Sequence, residues 1–338
     1  FNDVLTGGPG DDRIEGLSGT NVIRGGPGDD QLSGGSDQDT FHGGPGFDLV
    51  SFFGETDPIS VTLDGVANDG ASGELDNVES DVEWVIGGQG SDHLVGDAKA
   101  NTLVGGTGDD VLNGGPGNDT LDGGGTTPGA DGSDVFIGGK GVDAVVEDSP
   151  TGGMHLSIDG VANDHVPDDP SQGVDNIHTD VENVSGGFGD DRIVGDAAAN
   201  VLTGGLGNDT LVGGGGNDVL VPGAGTDTLQ GGPGLDTASF ADSPAPVTAD
   251  LLAGTASGDG DDSLSGIERA LGSPFGDHLV GSLGPNRLAG AEGDDTIKGL
   301  AGDDVLFGGA GDDHLDGGPG KDTCSQGPGT GPLVHCEH

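Results

Sequence analysis

The sequence predicts an all-β chain, a solenoid of two parallel sheets with two short strands per coil, and three observations carry that prediction. A nine-residue unit recurs at fixed phase, as in Gly204–Val221, which reads GGLGNDTLV followed directly by GGGGNDVLV. Position eight of the unit is apolar in all 23 copies, from Ile14, Ile23, Leu32, Phe41 and Val50 through to Cys324. Gly supplies 76 residues and aromatics only 3%, which leaves no material for a thick core. A fixed short period is the mark of a repeat architecture, in which each unit buries its apolar face only by stacking on its neighbours.

Each unit reads Gly-Gly-x-Gly-x-Asp-x-apolar-x. Six turn-forming residues precede three that alternate outward, inward and outward, which is the period-two pattern of a strand. Glycines permit φ > 0 and close backbone approach in the turns. Gly in this excess without a G-X-Y period excludes collagen, and the returning apolar phase argues against low-complexity disorder.

The units fall in four blocks separated by non-repeat segments. The reading is repeat block 1 at 1–53, interruption at 54–86, block 2 at 87–146, interruption at 147–185, block 3 at 186–240, interruption at 241–271, block 4 at 272–325 and a C-terminal cap at 326–338. One unit of block 2 is lengthened to 123–137 by the insert TTPGAD. The interruptions resemble one another: VTLDGVAND at 61–69 matches LSIDGVAND at 156–164 and, more loosely, VTADL at 247–251. They close on DNVESDVEWVIGG, DNIHTDVENVSGG and DDSLSGIERALGS, each running straight into the next block. They are therefore expected to be coils with a longer polar loop in place of the glycine turn and strands that continue the same sheets, within one continuous solenoid.

Net charge is −51, from 60 acidic against 9 basic residues. Such a chain repels nucleic acid and anionic membrane surfaces, and no apolar run approaches a membrane span. It also repels itself when compact, so a bound cation is expected to be needed for folding. Asp predominates over Glu, and oxygen-rich acidic sites favour hard divalent cations, which points to Ca²⁺. No HExxH motif, GxSxG elbow or Cys-His pair with a plausible base is present, and the carboxylates are periodic, so no enzyme activity is expected.

The repeated GGxGxDxUx motif, carried by units such as GGTGDDVLN, GGPGNDTLD, GGLGNDTLV and GGAGDDHLD, resembles the RTX or hemolysin-type calcium-binding repeat. The resemblance covers about two-thirds of the chain. It implies a parallel β-roll with several Ca²⁺ ions in rows along both edges, held by turn carbonyls and position-six carboxylates. Carried over by position, the ligands are Asp12, Asp30, Asp39, Asp48, Asp92, Asp110, Asp119, Asp134, Asp143, Asp191, Asp209, Asp218, Asp227, Asp236, Asp277, Asp295, Asp304, Asp313 and Asp322. Four units carry Asn instead, at Asn21, Asn101, Asn200 and Asn286, and weaker or missing sites are expected there. Irregular turns at GGSDQDTFH, where Asp37 replaces the third Gly, and at GSPFGDHLV put their own sites in question. Because a coil holds two units, Asp227 is the expected partner of Asp209, and Asp218 faces Asn200.

Cys324 and Cys336 are expected to form a disulfide that ties the tail over the last coil, in an extracellular setting. Zinc held by Cys336 with His335 and His338 is the alternative, and His93, His278 and His314 read as solvated outward positions. Trp84 reads as a local packing anchor. Outward Thr at position seven is too broken an array for an ice-binding face. Val at position nine suggests either ordinary β-propensity or a lateral association surface. No signal peptide opens the chain, which reads as a mature form or a fragment. The function expected is a secreted, calcium-binding structural or adhesive protein that self-assembles end to end or laterally, or binds cell-surface components. The alternatives are the repeat region of a larger secreted enzyme or toxin, and a calcium-responsive folding module serving export.

Overall fold

The computed structural model describes residues 2–124, 132–147, 152–165 and 173–337. The insert TTPGAD and His338 lie outside these residues. No α-helix occurs among them, and nearly all strand pairing is parallel. The chain divides into two compact units, Phe1–Asp148 with Ile158–Asn183, and Ser149–Ser157 with Val184–His338.

Each unit is a β-roll, because consecutive strands alternate between two facing ladders. In the first unit Arg13–Leu17, Gln31–Gly35, Leu49–Ser51, Trp84–Ile86, Thr102–Gly106, Thr120–Gly124 and Ala144–Val146 stack on one side. The position-eight residues stay in register, with Val85 of the interruption taking one step among them: Ile14 on Leu32 on Val50 on Val85 on Leu103 on Leu121 on Val145. In the second unit the same ladder runs Leu202, Leu220, Ala238, Ala270, Leu288, Leu306 and Cys324. Leu94, Leu103, Leu112 and Leu121 are fully buried, while their neighbours on either side are half-buried or exposed. Each such leucine contributes roughly 1.5–3 kcal/mol of transfer free energy. A one-residue slip would turn every one of them to solvent, which fixes the register.

The interruptions contribute strands to the same sheets, and the first and third add antiparallel strands that were not expected. In the first, Asn77–Val78 pairs parallel with Thr40–His42, and Trp84–Ile86 inserts between Leu49–Ser51 and Thr102–Gly106. Between these, Ile59–Thr62 pairs antiparallel with Gly70–Ala71 and parallel with His93–Val95. The third interruption does the same more fully: Thr248–Asp250, Thr255–Ser257 and Asp261–Ser265 form an antiparallel meander joined to parallel neighbours at both margins. One ladder thus changes direction while the other runs on. The physical reason is connection length, since antiparallel strands need only a short turn between them.

Candidate metal centre

The turns that join the strands stack on one another with the glycine positions in line. Gly26 (φ 117°) and Gly28 (φ 140°) adopt backbone that L side chains rarely reach, and a Cβ on either would strike the carbonyl of Gly8 or Gly10 in the preceding coil. Backbone bonds tie successive turns together, with Gly8 N donating to Gly25 O at 3.0 Å and Gly10 N to Pro27 O at 2.7 Å.

Position six is the hinge between turn and strand. Its carboxylate reaches back one coil and accepts the backbone N–H of the preceding position-six residue: Asp30 Oδ1 from Asp12 N at 2.8 Å, Asp119 Oδ1 from Asn101 N at 2.8 Å, Asp304 Oδ1 from Asn286 N at 2.8 Å. Asp227 accepts from Asp209 at 2.7 Å, and Asp218 from Asn200 at 2.9 Å. All nineteen position-six aspartates except Asp12 accept such a bond. Asp92, Asp191 and Asp277 take theirs from the interruption residues Ile59, Met154 and Val247.

The second oxygen has a different fate. Oδ2 of Asp30, Asp39, Asp48, Asp119, Asp143, Asp191, Asp209, Asp218, Asp227, Asp236, Asp295, Asp304, Asp313 and Asp322 is buried and meets no donor among the described residues. It lies against the first glycine of its own turn, where a Cβ would otherwise stand, as Asp30 Oδ2 does at Gly25. The carbonyl of the next coil points to the same spot: at Gly299 the two oxygens are Asp304 Oδ2 and Gly317 O. A buried carboxylate oxygen beside a carbonyl, without a donor, costs on the order of 1–3 kcal/mol or more. A cation held by these oxygens would remove that cost.

The burial shows in the acidities. Burial pushes Asp191 up to about 8, with repulsion from Asp209 and Asp190 adding to it and the Met154 N–H opposing. Burial likewise pushes Asp295 up to about 7 and Asp209 to about 6, in each case against a backbone N–H from the preceding coil. Among the described residues no three His, Cys, Asp or Glu side chains converge on one point. A cation held here therefore takes backbone carbonyls among its ligands. That donor set, carboxylate plus carbonyl oxygen, suits Ca²⁺.

Not every sequence-predicted ligand is equivalent. Asp92 Oδ2 accepts the Gly88 N–H at 2.7 Å, and Asp277 is held by Ser273 through N (2.6 Å) and Oγ (2.7 Å), so both oxygens of each are bonded. Asp12 is only half-buried. Asn101, Asn200 and Asn286 cap their own turns, accepting from Asp97, Asp196 and Ser282 N at 2.8, 2.9 and 2.6 Å. Asp37 fills its irregular turn by accepting the Gly19 N–H at 2.8 Å.

Two sets of residues were not anticipated. Position five forms a second, exposed ladder in the opposite sense: Asp29 N donates to Asp11 Oδ1 at 3.0 Å, and Phe47 N to Asp29 Oδ1 at 2.9 Å. The recurring Asp or Asn before position six is its signal. In the interruptions, Asp76, Asp175 and Asp262 accept the N–H of Asp39, Asp134 and Asp227 at 2.6, 2.7 and 3.0 Å. Glu83, Glu182 and Glu268 do the same for Asp48, Asp143 and Asp236. The shared acidic pair in the three closing segments was the available clue.

Cys324 and Cys336 are joined by a disulfide with Cα atoms 5.7 Å apart, and His335 Nδ1 lies 2.7 Å from Asp316 Oδ1. Trp84 packs its ring on Phe47 at 6.2 Å. No helix among the described residues is long and apolar enough to cross a membrane.

The RTX calcium-binding nonapeptide repeat (4 copies) family model matches residues 1–23, 15–50, 80–98, 95–125, 185–220, 221–239, 271–300 and 289–324, more than half of the chain. No curated protein matches it.

Proposed function

The chain belongs to the RTX calcium-binding nonapeptide repeat family, whose repeats imply Ca²⁺ binding, and on that premise we propose that it is a secreted structural or adhesive β-roll without enzymatic activity, folded by extracellular Ca²⁺. The observation that carries this reading is the row of buried Oδ2 atoms aimed at carbonyls of the next coil. Their carboxylates and carbonyls are the protein's contribution; the ion supplies the positive charge that lets them stack. Extracellular modules bind Ca²⁺ around 10⁻⁴–10⁻³ M, so the folded state is expected in calcium-rich surroundings and lost where calcium is scarce. At a hundredfold excess over Kd, each site adds about 2.7 kcal/mol.

RTX repeat proteins are typically secreted, which supports an extracellular setting, as does the Cys324–Cys336 disulfide. The assembly part of the proposal rests on stacked parallel strands whose outermost backbone groups can pair with another copy, end to end. Sedimentation velocity in millimolar Ca²⁺ and in chelator tests it. Concentration-dependent growth in Ca²⁺ alone is the expected result; discrete monomers at high concentration in Ca²⁺ overturn the self-assembling role.

A further inference from the structure

Glu83, Glu182 and Glu268 belong to no nonapeptide, yet each rebuilds a position-six station. In a repeat, the aspartate stands five positions after the first glycine. In the interruptions the corresponding step is two residues, Asp81 to Glu83, Asp180 to Glu182 and Gly266 to Glu268. The added methylene of Glu makes up for part of the shorter turn, and its carboxylate still accepts the right N–H. Glu83 Oε2 takes Asp48 N at 3.3 Å, Glu182 Oε2 takes Asp143 N at 2.8 Å and Glu268 Oε2 takes Asp236 N at 3.1 Å.

The carbonyl half of the station is rebuilt as well. Against Gly43 lie Asp48 Oδ2 and Asp81 O; against Gly138, Asp143 Oδ2 and Asp180 O; against Gly231, Asp236 Oδ2 and Gly266 O. This is the pairing seen at Gly299 in a regular turn. Asp48, Asp143 and Asp236 are each 0% exposed, and their Oδ2 atoms meet no donor among the described residues. Three buried, donorless carboxylate oxygens thus point at carbonyls that no repeat motif supplies.

We infer that the interruptions carry further divalent-cation sites of their own, in which Glu182 with Asp143, Glu268 with Asp236 and Glu83 with Asp48 bridge a Ca²⁺ together with the carbonyls of Asp180, Gly266 and Asp81. The inference rests on the calcium reading above and extends it to segments without the motif. The rows of ions on this edge then continue past the repeat blocks instead of stopping at them. The Glu83 station is the weakest of the three, because Lys99 Nζ already sits 2.6 Å from Glu83 Oε1 and 2.7 Å from Ser80 O and opposes a second cation. Its side chain comes from the GDAKAN turn, which has no position-six carboxylate of its own.

The test is bound calcium per chain, by equilibrium dialysis and metal analysis of the full chain, for wild type, Glu182→Gln, Glu268→Gln and the repeat control Asp209→Asn. Gln keeps an oxygen for the N–H of Asp143 or Asp236 and removes the charge, so folding in excess Ca²⁺ is retained. Each Glu→Gln variant is expected to bind one ion fewer than wild type. If Asp209→Asn loses calcium and both Glu→Gln variants keep the wild-type number, the interruption sites do not exist. If wild type itself binds none, the calcium reading fails first. Should the variants not fold, anomalous scattering from calcium-loaded crystals of the unmodified chain decides: a peak between Asp236 Oδ2 and Gly266 O supports the inference, and its absence there beside peaks in the repeats overturns it.

Discussion

Asp209 and Asp69 are both about 1% exposed, and they show two ways to bury a carboxylate in this chain. Asp69, in the first interruption, is saturated by protein: Oδ1 accepts Thr62 N at 2.8 Å and Oδ2 accepts Val78 N at 2.8 Å, stitching two strands together. Asp209, in a repeat, accepts one N–H and leaves its other oxygen without a donor. The first arrangement is complete as a polypeptide. The second is complete only with a cation, and the chain repeats it along both edges. On the proposed calcium reading, the repeats trade autonomous stability for dependence on calcium, while the hairpins of the interruptions keep some of their own.

Acidity gives the largest expected effect because many groups act together, and it spans both regions: burial raises Asp76 and Asp262 of the interruptions to about 7 and Asp69 to about 6. In the repeats, burial raises the carboxyls of Asp191 to about 8, Asp295 to about 7 and Asp209 to about 6, well over the ordinary aspartate value. A carboxyl whose folded pKa is raised favours the folded state when protonated. Its contribution is fully present below the unfolded pKa and is lost as pH rises through the folded value. In chelator, therefore, sheet content is expected to rise as pH falls from about 8 towards 4, followed by circular dichroism. In Ca²⁺ the trend reverses, since protons compete for the ligands, and the calcium midpoint shifts upward over the same window. Sheet content in chelator that is flat with pH would remove burial as the source of the dependence.

Backbone crowding sharpens the contrast next. Gly213→Ala places a methyl on Asp218 Oδ2 and Gly231 O and is expected to cost about 2–4 kcal/mol in Ca²⁺. Gly54→Ala, in the first interruption, meets open space without a positive φ and is expected to stay within about 0.5 kcal/mol. Thermal unfolding of the two variants compares them directly.

Charge removal gives a smaller but more diagnostic split. Asp209→Asn is expected to destabilise by about 1–3 kcal/mol in Ca²⁺ and to have almost no effect in chelator, where the wild-type site is already empty of benefit. Asp69→Asn replaces one acceptor with a donor opposite an N–H, so its penalty is expected with and without Ca²⁺ alike. Calcium titrations of urea unfolding distinguish them; equal calcium dependence would erase the distinction between the regions.

Much of this was legible in the sequence, for a physical reason. Position eight of each nonapeptide has one role, so Leu94 through Leu121 announce the ladder without knowledge of any neighbour. The position-six row was legible too, because Asp209 and Asp227 differ by one coil in a fixed period. What stayed hidden depends on partners far along the chain. That Asp92 and Asp277 have both oxygens bonded follows from Gly88, Ile59, Ser273 and Val247, none of which the motif specifies. Glu268 reaches Asp236 across 32 residues of irregular spacing, where no period points to it. The antiparallel strands Thr248–Asp250 and Thr255–Ser257 follow from the four-residue turn Leu251-Leu252-Ala253-Gly254, which belongs to no nonapeptide.

The central claim is that the buried position-six oxygens make the repeats dependent on Ca²⁺, and a far-UV circular dichroism titration of the full chain from chelator into millimolar Ca²⁺ tests it most directly. The account predicts an expanded chain in chelator and a cooperative gain of sheet near millimolar Ca²⁺. The same sheet signal in chelator as in Ca²⁺ would contradict it.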